Sequence, residues 1–149
     1  MKIKVINGPN LNMLGIREPG IYGTLSYEAL VDFIRKESET LKLDVDISQS
    51  NSEGAIIDML QQAYFDGVDA LIINAGAYTH YSYAIRDAIA ILKCPVYEVH
   101  LSDIYAREPF RHVSVIKEVC TEQITGYGFD SYKIALSKAA KLLNSINSR

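Results

Sequence analysis

Tryptophan is absent from this 149-residue sequence, cysteine occurs twice and phenylalanine four times. Cys94 and Cys120 lack CxxC spacing, which argues against a zinc or dithiol framework. In a reducing compartment their simplest role is as small buried hydrophobes. Cations are in slight deficit, 15 Lys and Arg against 18 Asp and Glu for a net charge of −3. A surface for nucleic acid would have to form against the net field, so no such partner is expected. No apolar run approaches the roughly 20 residues that span a bilayer, and the chain reaches Gly8-Pro9 too early for a signal h-region. The expectation is a soluble, cytoplasmic protein with no membrane partner. GxGxxG, GxxxxGKS and GxSxG are all missing, leaving dinucleotide, P-loop and hydrolase sites unsupported.

What is present is an ordinary globular balance, 48% hydrophobic and 22% charged, enough for one domain over residues 1–149 with a continuous core. Tyrosine, at ten copies, supplies many rings with a titratable hydroxyl. Ile3 to Asn7 reads as a buried strand ended by Gly8-Pro9. Ser26 to about Leu41 places Leu30, Phe33, Ile34 and Leu41 at helical spacing. Leu43 to Ile47 alternates as a half-exposed edge strand. Ser50-Asn51-Ser52-Glu53 has the capping-box form, opening a helix with Ile56, Leu60, Ala63 and Tyr64 on one face and Gly67 at its end. Ala70 to Ile73 is apolar throughout, as a central parallel strand covered on both faces requires. A helix over Ser82 to Leu92, strands over Pro95 to His100 and Val119 to Thr125, and a helix over Asp130 to Asn144 complete the pattern. The last helix turns Leu136, Ala139, Ala140 and Leu143 inward. Strict strand-helix alternation predicts a doubly wound, five-stranded parallel sheet.

In such sheets ligands bind beyond the carboxyl ends of the strands. Those ends carry Asn7-Gly8-Pro9-Asn10, Gln49-Ser50-Asn51, Asn74-Ala75-Gly76 and Glu98-Val99-His100-Leu101-Ser102. Any one Asn or Ser there could simply cap a helix; several on one rim with histidine predict a binding crevice. Glu98 and His100, two apart on a strand, point the same way, and a carboxylate beside an imidazole favours and orients its protonated form, which suits a general acid. Gly15, Gly20 and Gly23 flank Arg17 and Tyr22 in the first loop. Arg17-Glu18-Pro19 recurs as Arg107-Glu108-Pro109, with Arg111 following, so three loop arginines serve a small anion or favour ionisation of a nearby tyrosine. Pro109 argues against Arg107 and Arg111 sharing a helix face. His80 and His100 lack a third ligand at a familiar spacing, so no metal is expected.

These residues resemble the type II 3-dehydroquinate dehydratases over almost the whole chain. The blocks Asn7 to Pro19, Tyr22-Gly23, Gln49 to Gly54, Asn74 to His80 and Glu98 to Ser102 appear in the family's order. The resemblance implies a flavodoxin-like fold and a lyase of the shikimate pathway, on the route to chorismate and the aromatic amino acids. It would convert 3-dehydroquinate to 3-dehydroshikimate by anti elimination through an enolate, with no Schiff base and no cofactor. It implies Tyr22 as the base, helped by Arg17 and Arg107; Asn10 holding the water that stabilises the enolate oxygen; and His100, oriented by Glu98, as the acid. Asn74 and the amides of Leu101 and Ser102 would bind the substrate carboxylate, and His80 and Arg111 its ring hydroxyls. Homododecamers built from trimers are also implied, with Asp87 reaching a neighbouring site.

Three positions depart from the family pattern. Asp103 stands in place of Asn, bringing a negative charge beside the carboxylate-binding loop, Pro109 in place of Glu, and Glu122 in place of a small Gly. Two alternatives come from other classes. One is a flavodoxin-like module carrying FMN or receiving a phosphoryl group, although a receiver would need an aspartate where Asn74 stands. The other is an inactive binder of shikimate-like acids.

Overall fold

The computed structural model describes residues 1–16 and 25–148. Five parallel strands, β1 (Lys2–Asn7), β2 (Asp44–Gln49), β3 (Ala70–Asn74), β4 (Val96–His100) and β5 (Glu122–Thr125), form one sheet in the order β2-β1-β3-β4-β5. That order is flavodoxin-like, with the chain reversing direction across the sheet between β1 and β3. The helices are α1 (Tyr27–Thr40), α2 (Glu53–Asp66), α3 (Tyr83–Ile91) and α4 (Asp130–Asn147). As the alternating pattern requires, β2 lies at an edge and the uniformly buried β3 at the centre.

Period-two alternation divides the strand residues between two cores. Ile3, Val5, Ile72, Tyr97 and Val99 pack with α1 and α4 through Leu30, Ile34, Leu136 and Leu143. Ile6, Leu71, Ile73 and Val96 face α2 and α3 through Ile56, Leu60, Ile85 and Ile89. The first face therefore carries the side chains of Asn7 and Asn74, and the second those of Glu98 and His100.

Ser26, Ser52 and Ser82 each N-cap a helix by accepting from a backbone N–H three residues on, at 3.0–3.2 Å, worth about 1 kcal/mol apiece. Ser52, not Ser50, is thus the cap of α2. Extended backbone at Ser52 places the helix start two residues later than the capping-box spacing suggests. Ser50 Oγ instead accepts from Ser52 N at 3.0 Å, and Glu53 accepts from Ser82 Oγ at 2.6 Å, tying α2 to α3. Tyr64 stays at the surface, its ring edge against Phe65. Lys117–Val119 forms a 3-10 turn, so β5 begins at Glu122 rather than Val119. Both cysteines are free and half-buried at the margin of the second core. Among the described residues no helix is long and apolar enough to cross a membrane.

Candidate active site

The strand ends meet because glycine lets the backbones approach. A Cβ on Gly8 would lie 2.7 Å from the Ala75 carbonyl carbon, and Gly8 N donates to Asn74 O at 2.7 Å. Gly76, at φ +57°, packs against Pro9, a conformation that disfavours a side chain. The result is a crevice lined by Asn10, Asn74, His80, His100, Leu101, Ser102, Arg107 and Arg111, with Leu11, Leu14 and Ile104 as apolar wall.

Eight of the predicted site residues therefore come together. Glu98 lies directly behind His100. Asp87 is exposed on α3 and is not among the lining residues. Arg17 and Tyr22 lie outside the described residues.

Glu98 is fully buried and accepts from His100 Nε2 at 2.5 Å, from Ser114 Oγ at 3.0 Å and from Gln123 Nε2 at 2.9 Å. An ionised carboxylate only accepts, so His100 carries a proton on Nε2 and its Nδ1 is the nitrogen not engaged by Glu98. Gln123 is the β5 partner of Glu98 in the strand register, and its Oε1 accepts from Tyr105 O–H at 2.6 Å. Donors on both oxygens hold the buried carboxylate in one orientation.

Asn10 sits in left-handed backbone, φ 69°, its N–H donating to Asn51 Oδ1 at 3.0 Å. Gln49 Nε2 donates to the same Asn51 oxygen and to Gly8 O, each at 3.1 Å. His80 Nδ1 donates to Val113 O at 2.7 Å, since a carbonyl can only accept. Its Nε2 is then an acceptor in the neutral ring. Burial, with the nearby His100 and Arg111 assisting against the Val113 bond, holds His80 below its ordinary 6.5.

The loop after β4 is fixed from behind. His100 O, Leu101 O and Ser102 O accept from Gly126 N, Gly128 N and Thr125 Oγ1 at 3.4, 2.9 and 2.9 Å. Arg107 follows the 3-10 turn Ile104–Ala106 in extended backbone and Arg111 lies in the 3-10 segment Pro109–His112, so the two share no helix face, as the proline suggests, yet both line the crevice. Glu108 joins them, 3.8 Å from Arg107 Nε and 3.1 Å from Arg111 Nε. Hydrogen bonding from its own backbone and from Arg111 keeps its carboxyl below the usual range. Arg111 also stacks 4.6 Å over Phe110, and Arg107 Nη1 is 3.5 Å from Ser102 Oγ.

The three unusual positions have local explanations. Asp103 caps the 3-10 turn Ile104–Ala106 by accepting from Tyr105 N at 3.0 Å, and is not among the lining residues, so its charge does not face the ligand space. Pro109 occupies the first position of a 3-10 helix, where its missing N–H costs nothing. Glu122 pairs with Lys138 of α4 at 2.9 Å.

Sequence reasoning missed Ser114, Gln123 and Tyr132. Tyr132 is fully buried in α4, and its hydroxyl donates to Asn7 Oδ1 at 2.6 Å while accepting from Asn74 Nδ2 at 3.1 Å. Its position in the first turn of the last helix, on the face shared with Leu136, was the available signal. Among the described residues no three His, Cys, Asp or Glu are grouped to hold a metal ion.

Donors from Asn10, Asn74, Ser102 and two arginines surround this crevice, the Glu98 carboxylate lies behind His100, and no carboxylate is among the described lining residues. Such a site suits a small anion that must accept a proton.

The family model described as dehydroquinase class II matches residues 1–140. A 3-dehydroquinate dehydratase of Caldicellulosiruptor bescii is 56% identical over 143 residues, covering 96% of this chain and 99% of that protein. One from Lachnospira eligens is 54% identical over 143 residues, covering 95% and 97%. Among solved structures, type II dehydroquinase from Butyrivibrio crossotus superposes with a TM-score of 0.92 at 54% identity, covering 93% of this chain and 97% of that one.

Proposed function

The chain belongs to the class II dehydroquinase family, and from that premise we propose that its crevice dehydrates 3-dehydroquinate to 3-dehydroshikimate by anti elimination through an enolate. The observation that carries this reading is the buried Glu98–His100 pair opening onto a donor-rich, cationic crevice.

In this scheme Tyr22 takes the C2 proton beside the ketone. An ordinary phenol, with a pKa of about 10, is about one part in a thousand ionised at neutral pH. Arg17 and Arg107 favour the phenolate in the scheme, a desolvated guanidinium being worth several kcal/mol to a nearby anion. The electrons of the broken C–H bond pass to the ketone oxygen, where a water held by Asn10 donates to the enolate. Collapse of the enolate forms the C1–C2 double bond and expels the C1 hydroxyl. His100 protonates that hydroxyl as it leaves, so water departs and the conjugated enone remains.

Glu98 contributes by supporting the imidazolium at the moment it is needed, Ser114 and Gln123 by keeping Glu98 in place. Asn74 and the amides of Leu101 and Ser102 hold the carboxylate. His80 accepts from one ring hydroxyl through Nε2, and Arg111 donates to another. No lysine imine and no cofactor enter this sequence.

The family resemblance extends the proposal to a cytoplasmic protein, a single catalytic domain over residues 1–149, and homododecamers built from trimers in which Asp87 reaches a neighbouring site. Borohydride added with 3-dehydroquinate tests the absence of an imine: undiminished turnover and unchanged protein mass are expected. Irreversible inactivation with a mass gain on lysine contradicts the scheme. Tyr22→Phe, folded as the wild type, should form no enone; substantial turnover by that variant removes Tyr22 as the base.

A further inference from the structure

Beneath the crevice lies a chain of side chains of which the reaction scheme uses only Asn74. Asn7 and Asn74 are directly opposed across β1 and β3, and Tyr132 of α4 places its hydroxyl against both. The bonds run in one direction. Gly76 N–H donates to Asn74 Oδ1 at 3.2 Å, Asn74 Nδ2 donates to Tyr132 Oη, Tyr132 O–H donates to Asn7 Oδ1, and Asn7 Nδ2 donates to Tyr27 Oη at 3.4 Å. Asn7 and Tyr132 are fully buried and Asn74 is 4% exposed.

This arrangement fixes which end of the Asn74 amide is which. A phenol has one proton, and here it is committed to Asn7 Oδ1. Toward Asn74 the tyrosine oxygen can only accept, so Asn74 must turn its NH₂ that way and its oxygen toward Gly76. One N–H is used by Tyr132. The second is the polar hydrogen that Asn74 retains for the crevice it lines. The bond to Gly76 is a local turn within the segment; Tyr132 supplies the anchor from another element, 58 residues away in sequence. Burial pushes the Tyr132 phenol well above its ordinary value, so the committed proton stays in place at working pH.

We infer that Tyr132 is a positioning residue that locks Asn74 as a hydrogen-bond donor toward the ligand, and thereby selects an anionic acceptor such as a carboxylate at that point of the crevice. The inference rests on the dehydratase reading and deepens it. A contact made equally in ground state and transition state affects KM and not kcat. Tyr132→Phe should therefore raise KM for 3-dehydroquinate by about tenfold, the worth of one hydrogen bond to a charged group, with kcat within about twofold.

Coupling supplies the readout that a purely structural role would not move. In an Asn74→Ala background, adding Tyr132→Phe should change KM by less than about twofold. If the unpaired Asn7 prevents Tyr132→Phe from folding, the double variant Asn7→Leu with Tyr132→Phe removes that unpaired buried amide, and the same KM rise is expected of it. A fall in kcat with KM unchanged, or KM effects that multiply in the double-mutant cycle, overturns the inference while leaving the dehydratase reading intact. Absence of enone formation by the wild-type protein overturns that reading and the inference with it.

Discussion

Glu98→Gln isolates the charge behind His100 from the geometry that holds it. Glutamine has nearly the same volume and can keep its oxygen where Oε2 now accepts from His100 Nε2 and Gln123 Nε2. Its NH₂ then meets Ser114 Oγ, which accepts from Lys117 N at 3.1 Å and has a second lone pair to offer. What disappears is the negative charge. Two unit charges about 4 Å apart at an effective dielectric of about 20 attract by about 4 kcal/mol, and a positioned general acid contributes about 10² to 10⁴ in rate. We expect kcat to fall by about 10²- to 10³-fold. KM should hold within about threefold, because Glu98 is fully buried and is not among the residues lining the crevice. The assay is initial-rate formation of the conjugated enone by ultraviolet absorbance, with thermal unfolding confirming a folded variant. A folded Glu98→Gln protein with kcat within about threefold of wild type refutes the argument that the carboxylate's charge supports the acid.

His80 is held below 6.5 chiefly by burial, so the unfolded chain binds its proton more readily than the folded one. Its contribution to stability is present above pH 6.5 and is lost as pH falls toward the folded value; thermal unfolding at pH 5 and pH 7.5 should show a smaller difference for His80→Gln than for wild type, and an unchanged difference counts against it. Gly8→Ala forces a Cβ to within 2.7 Å of the Ala75 backbone, an overpacking that should cost about 2 kcal/mol and lower Tm by about 4–8 °C. A variant as stable as wild type means the two strand ends separate at little cost.

The sheet was legible because each strand announces itself through its own period: alternation in β2, uniform apolarity in β3, and a polar residue at each carboxyl end. Strand ends were less so, since Val119 is as apolar as a strand residue while a serine at 114 and the carbonyls of Ile116 and Lys117 bend that stretch into a 3-10 turn. At the site, the Glu98–His100 contact followed from two-residue spacing alone. Gln123 did not, because it depends on the register of β5 against β4, which no local pattern specifies. Tyr132 was hidden for a related reason: a tyrosine on an apolar helix face looks like core until the asparagines opposite its hydroxyl are placed. The opposite error occurred at Ser50, where a sound capping motif yielded to the better backbone geometry of Ser52 two residues later.

The most direct measurement mixes purified protein with 3-dehydroquinate and follows ultraviolet absorbance, for the wild type beside His100→Ala. Saturable growth of the enone band with the wild type, and its near loss with the variant, is the predicted result. A flat trace from folded wild-type protein, or equal rates from the two, contradicts the assignment of this crevice.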